Sequence, residues 1–233
     1  MLVLPSYSPL PFMKHFFALL LISAAALPAA HAQQTLTGAT AYAAPAPAAG
    51  GGSAVTTTKA VRRLSHGESK AQLRLAEETL KTSPRNAEAL LGRAEAHVGL
   101  KNYKEALADY STLIKMQPTN PELYFGRALA QLRDDQLARA VADFTKALRL
   151  NPGHAPSLMY RGMAKMQLLN YKGAVPDFAK VIQLEPNNAE AYEYRGICYS
   201  HSYQEKLALP DLEKAAALNP EAEKTLKRYR THK

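Results

Sequence analysis

The sequence predicts an all-α fold, a solenoid of antiparallel helix pairs, and three observations carry that prediction. Four residue types recur 34 positions apart in one register: Pro118, Pro152, Pro186 and Pro220; Ala106, Ala140, Ala174 and Ala208; Arg93, Arg127, Arg161 and Arg195; Asp109, Asp143, Asp177 and Asp211. Within each unit two segments carry apolar or small residues at helical spacing, the mark of a helix with one buried face. Each unit then closes on its proline, which cannot continue a helix. A unit of this length cannot bury an apolar face alone, so neighbours must stack. The units run 87–120, 121–154, 155–188 and 189–222, inside a repeat region of 86–222.

In the first helix of each unit the stripe at i, i+4, i+7 is Leu90/Ala94/His97, Tyr124/Ala128/Gln131, Leu158/Gly162/Lys165 and Tyr192/Gly196/Tyr199. Its middle member is always Ala or Gly, as a close helix–helix approach requires. Turn-prone Asn102, Asp135 and Asn170 interrupt the pattern. The second helix follows with the recurring Ala and an anchor: Tyr110, Phe144, Phe178 or Leu212. Pro176 and Pro210 fall inside the second helices of units three and four, which must either start late or kink. Upstream, residues 66–85 read as a partial repeat helix, with Ser69 to Ser83 shaped like a degenerate second helix before Pro84. Downstream, the basic stretch 223–233 follows Ala222 with a single apolar stripe (Ala222, Leu226, Tyr229) and suits a solvating cap.

This arrangement of small, aromatic and terminal proline residues at this period resembles the tetratricopeptide repeat family, over about 135 residues. The resemblance implies a right-handed superhelical solenoid whose first helices line a concave, peptide-binding groove. The chain departs from the family pattern at its usual early Trp, replaced by Leu90, Tyr124, Leu158 or Tyr192.

The first 32 residues have a different logic. From Met13 the chain reads MKHFFALLLISAAALPAAHA: a basic start at Lys14 and His15, an apolar run from Phe16 to Leu27, then Ala30-His31-Ala32. Basic, apolar, small is the order of a secretory signal peptide, with cleavage expected after Ala32. Residues 1–12 carry three prolines and no charge, as an upstream extension ahead of the true start at Met13 would. Residues 33–65 are rich in Ala, Pro, Gly and Thr without helical or strand period and read as a flexible tether. The form of the signal peptide points to a bacterial protein exported to the periplasm or secreted.

Candidate functional residues fall into two sets. The Arg and Asp columns lie 16 residues apart in every unit: Arg93/Asp109, Arg127/Asp143, Arg161/Asp177 and Arg195/Asp211. Since every Arg has its own Asp in register, an ion pair tying helix to helix is expected in preference to a ligand-binding arginine ladder. The second set is an apolar stripe one residue along from the packing stripe. It comprises Leu91, then Phe125, Leu129 and Leu132, then Met159, Met163 and Met166, then Ile197. In units two and three it makes the first helix apolar on nearly all sides, so the surplus is expected to stand exposed or to be covered. Its Leu and Met content suits an adaptable protein or peptide partner. The resemblance places it in the groove, without the Lys/Asn/Arg set by which some family members clamp a C-terminal carboxylate. Covering by the chain's own tether or by a second copy, as a homo-oligomer, is the competing expectation.

No catalytic, metal or cofactor site is expected. Cys198 and His201 make at most half a zinc site, and Cys198 stands in the column of Ala96, Ala130 and Ala164, where a small packed residue belongs. The sequence has no P-loop and no nucleophile elbow. The net charge of +9 splits into +5 over residues 1–85, zero over 86–221 and +4 over 222–233. A neutral array argues against nucleic acid as its ligand, and the chain lacks an apolar run suited to a mature membrane span. The expected function is an exported scaffold or adaptor without catalysis. The alternatives are docking of the basic ends on an anionic envelope surface or another polyanion such as nucleic acid, or a groove closed by self-association.

Overall fold

A computed structural model of the chain describes residues 65–231. The signal peptide and extension assigned to 1–32, and the tether over 33–65 apart from Ser65, lie outside the described residues. The described residues form ten α-helices and no strand. They run α1 (His66–Thr82), α2 (Ala87–Gly99), α3 (Tyr103–Met116), α4 (Pro121–Arg133), α5 (Leu137–Leu150), α6 (Ala155–Gln167), α7 (Tyr171–Leu184), α8 (Ala189–His201), α9 (Glu205–Leu218) and α10 (Glu223–Thr231). A short 3-10 turn, Pro220–Ala222, joins the last two. Each helix packs on the next in sequence, the arrangement of an α-solenoid.

Recurring local devices set the boundaries of the first helices. The first helices start at Asn86, Asn120, His154 and Asn188. The three asparagines accept a backbone N–H of the first turn at 2.9, 3.1 and 2.9 Å. The helices end on a left-handed residue: Lys101 (φ 64°), Asp135 (60°), Leu169 (59°) and Tyr203 (59°). The next amide reaches back five residues to the carbonyls of His97, Gln131, Lys165 and Tyr199, at 2.8, 2.8, 2.8 and 2.9 Å. That bond satisfies the end of the first helix and reverses the chain into the second.

Pro176 and Pro210 do not delay their helices, the first of the two expectations: α7 begins at Tyr171 and α9 at Glu205, and both run unbroken through the proline. Each proline deprives a backbone carbonyl four residues earlier, on Lys172 or Lys206, of its helical donor. Both prolines and both lysines are exposed, so those carbonyls lie on the side of the helix open to solvent.

The core runs between the layers of the array. Ala106, Ala140, Ala174 and Ala208 are fully buried, and the anchors Tyr110, Phe144, Phe178 and Leu212 nearly so. A Cβ added at Gly162 would meet the Phe178 ring at 2.7 Å, so the glycine there admits the anchor of its own unit. Phe144 stacks on Tyr160 of the following unit, and Phe178 on Tyr194, with centroids 6.2 and 5.5 Å apart. One aromatic column thus runs across unit boundaries. At the open end, α10 buries Leu226 and leaves Lys224, Lys227, Arg228 and Arg230 in water.

Candidate protein-interaction site

The arginine and aspartate columns meet in all four units. Each arginine donates Nε to Oδ2 and Nη2 to Oδ1 of its partner. The two distances are 2.8 and 2.6 Å for Arg93–Asp109, and 2.7 and 2.8 Å for Arg127–Asp143. They are 3.1 and 2.5 Å for Arg161–Asp177, and 2.7 and 2.8 Å for Arg195–Asp211. This two-pronged bond joins first to second helix, and the aspartates are buried. The bond to its aspartate raises the pKa of Arg93, Arg127 and Arg195, outweighing the opposing effect of burial. The guanidinium forks are spent within the protein.

Two further partners extend this network. Arg127 Nη1 donates to Ser111 Oγ at 3.1 Å, and Arg161 Nη1 to Thr145 Oγ1 at 3.2 Å, both hydroxyls of the preceding unit. Those residues sit 16 positions before each arginine, a column reading Glu77, Ser111, Thr145, Ala179. Counting only forward from each arginine, as the pairing with aspartate invites, misses that column. In unit three Lys165 Nζ also donates to Asp177 at 2.7 Å and to the Gly173 carbonyl at 2.9 Å.

The second candidate set lies along the inner layer. The first helices α4, α6 and α8 touch one another in succession as well as their sequence neighbours. The structure does not leave the stripe of units two and three standing open: Phe125, Leu129, Leu132, Met163 and Met166 are all buried, none more than 9% exposed. Phe125 has the His154 ring edge-on at 4.9 Å, with Phe144 and Tyr160 each at 5.9 Å. Leu91, Met159 and Ile197 are half-buried. Leu91 packs on the cluster of Leu80, Leu90, Ala94, Tyr110, Leu113 and Leu123, and Met159 on that of Leu148, Leu158, Val181 and Ala191. Adjacent first helices stand close enough for neighbouring inner side chains to fill space that a single helix viewed alone would leave open.

Cys198 is fully buried and its thiol is pushed up to about 12 by that burial, far from the range of a reactive thiolate. His201, three residues on, turns its ring onto Tyr171 at 4.5 Å. Among the described residues no group of three or more His, Cys, Asp or Glu is placed to hold a metal ion, and no helix is long and apolar enough to cross a membrane.

The family model for the tetratricopeptide repeat matches residues 58–121 and 93–155. No curated protein matches the sequence. Among solved structures, MamA is 21% identical with a TM-score of 0.63, over 68% of this chain and 92% of its own. YrrB, described as a tetratricopeptide protein with an unusual peptide-binding site, is 22% identical with a TM-score of 0.61, over 69% of this chain and 84% of its own. A thermophilic tetratricopeptide protein of Thermus thermophilus is 24% identical with a TM-score of 0.52, over 71% of this chain and 90% of its own. These likenesses concern the fold. Together with the repeated helix pairs, the family match over residues 58–155 supports a tetratricopeptide repeat family for the repeat region.

Proposed function

We propose that this chain is an exported adaptor that binds an apolar helix or peptide of another protein along its inner layer, without catalysis of its own. The observation that carries the reading is the inner stripe of the touching helices α4 and α6, with Phe125, Leu129 and Leu132 on one and Met159, Met163 and Met166 on the other. Methionine repacks at little cost, so a layer that is closed in the free chain is suited to open around an apolar segment. The zero net charge of residues 86–221 supports an apolar partner over an anionic one. The peptide-binding site named for YrrB, on the same fold, lends the reading support by analogy. Export rests on the signal-peptide pattern before Gln33.

Photo-cross-linking in the native envelope tests the binding. A benzophenone side chain at half-buried Met159 or Ile197 is expected to trap a second protein, and one at outward-facing Leu75 is not. Adducts confined to the chain itself, or equal trapping from Leu75, sink the adaptor reading. N-terminal sequencing of the cellular protein should begin at Gln33; an uncleaved chain in the cytosolic fraction sinks export.

A further inference from the structure

The turns between first and second helices make the same backbone reversal four times, but they do not display the same chemistry. The left-handed position holds Lys101 and Asp135 in units one and two, and Leu169 and Tyr203 in units three and four. A bulky side chain is disfavoured in that conformation, where Asn, Asp or Gly would serve folding better. Yet Leu169 is 65% exposed and Tyr203 94% exposed, so neither is held there by packing. Leu168 and Leu207 beside them are also exposed. These two turns adjoin, since Tyr171, two residues after Leu169, stacks on His201, two residues before Tyr203. The result is one projecting apolar edge.

Basic groups surround it. Lys172 and Lys206 are exposed in the first turns of α7 and α9 and have no ion-pair partner among the described residues. The end of α10 arrives at the same place: Tyr229 Oη donates to the Glu205 carbonyl at the start of α9, at 3.2 Å. With it comes the basic end of α10, where Lys227 and Arg228 are exposed, to an edge that also carries the acid Glu205. Two like edges facing each other would set basic groups against basic groups, which disfavours a second copy.

We infer that the turn edge of units three and four, Leu168, Leu169, Tyr203 and Leu207 with Lys172, Lys206 and the end of α10, docks peripherally on an anionic lipid bilayer. Leucine tips enter the acyl boundary, tyrosine sits at headgroup level, and the surrounding cations meet the lipid phosphates. This surface is separate from the inner layer, and its test is independent of partner binding there.

The chain has no tryptophan, so Tyr203→Trp in the full chain provides a single site-specific fluorophore. Vesicles of brominated phosphatidylglycerol and phosphatidylethanolamine should quench it and shift its emission to the blue, whereas brominated phosphatidylcholine should not. Met116→Trp, at the opposite edge, should stay unquenched. Adding Leu169→Asn, which suits the left-handed backbone and so spares the fold, should raise the lipid concentration for half-quenching about tenfold. No quenching, equal quenching by neutral lipid or at Met116→Trp, or indifference to Leu169→Asn overturns the inference. So does a blue shift that follows protein concentration without lipid, which would mark an interface between copies.

Discussion

Units one and two differ from units three and four in how each spends the same scaffold. In the first pair, the turns display polar Lys101 and Asp135, and the second helices α3 and α5 contain no proline. Ser111 and Thr145 bind the arginines of units two and three across the unit boundary. In the second pair, the turns display Leu169 and Tyr203, each second helix carries a proline, and the residue facing Arg195 is Ala179. Arg195 lies over two rings, Tyr192 and Tyr199, at 5.7 and 5.9 Å, and Arg127 over Tyr124 at 5.9 Å. Identical helix lengths and the same Arg–Asp pair in every unit therefore carry different local interactions, and unequal local stability is expected to follow. The C-terminal pair accepts backbone costs that folding alone would remove, and that is where the apolar edge is displayed.

The largest expected effect tests the strongest point of the costly half. Asp177 neutralises both Arg161 and Lys165, so Asp177→Ala should destabilise the array by about 3–5 kcal/mol in denaturant titration. Asp211→Ala strands one arginine and should lose about 2 kcal/mol. Equal losses would show that Lys165 is not part of the network. Next, Pro176→Ala returns a donor to the Lys172 carbonyl and should raise stability by up to about 3 kcal/mol. No gain would mean that water already satisfies that carbonyl in full.

A smaller effect probes the boundary staples. Ala179→Thr should give Arg195 the hydroxyl that Arg161 finds in Thr145, gaining about 1 kcal/mol, while Thr145→Ala loses a similar amount. Hydrogen exchange of α8 and α9 against α6 and α7 reads which boundary has tightened. The smallest effect is a pH dependence. Desolvation holds the His201 imidazole below its ordinary 6.5. The unfolded chain therefore takes up the proton first as pH falls. Stability from this group is present above about 6.5 and declines as pH drops below it. His201→Phe keeps a ring on Tyr171 and should flatten that part of the stability–pH curve.

The repeat made much of this legible. A residue type returning every 34 positions must be doing one job in one place, which is why Arg161 and Asp177 are legible as a pair from the sequence. The turn at Asn170 was readable from its chemistry. Ser111 and Thr145 were not, because their partner lies in the neighbouring unit and they recur in only two of four units. The fate of Phe125, Leu129 and Met163 was equally hidden: a helix considered alone shows an apolar surplus, and only the distance to the next first helix decides whether neighbours fill it. The same holds for Pro176, whose tolerance depends on which side of α7 faces water.

The sequence by itself determined the unit, its two helices, its closing proline and the pairing of its charges, because those depend on local propensity and on a register repeated in every copy. Tertiary structure alone decided which apolar stripe is buried, which hydroxyls bridge units and which turns lie together as one edge. Those outcomes depend on how far apart neighbouring helices stand, and no spacing along the chain encodes that distance.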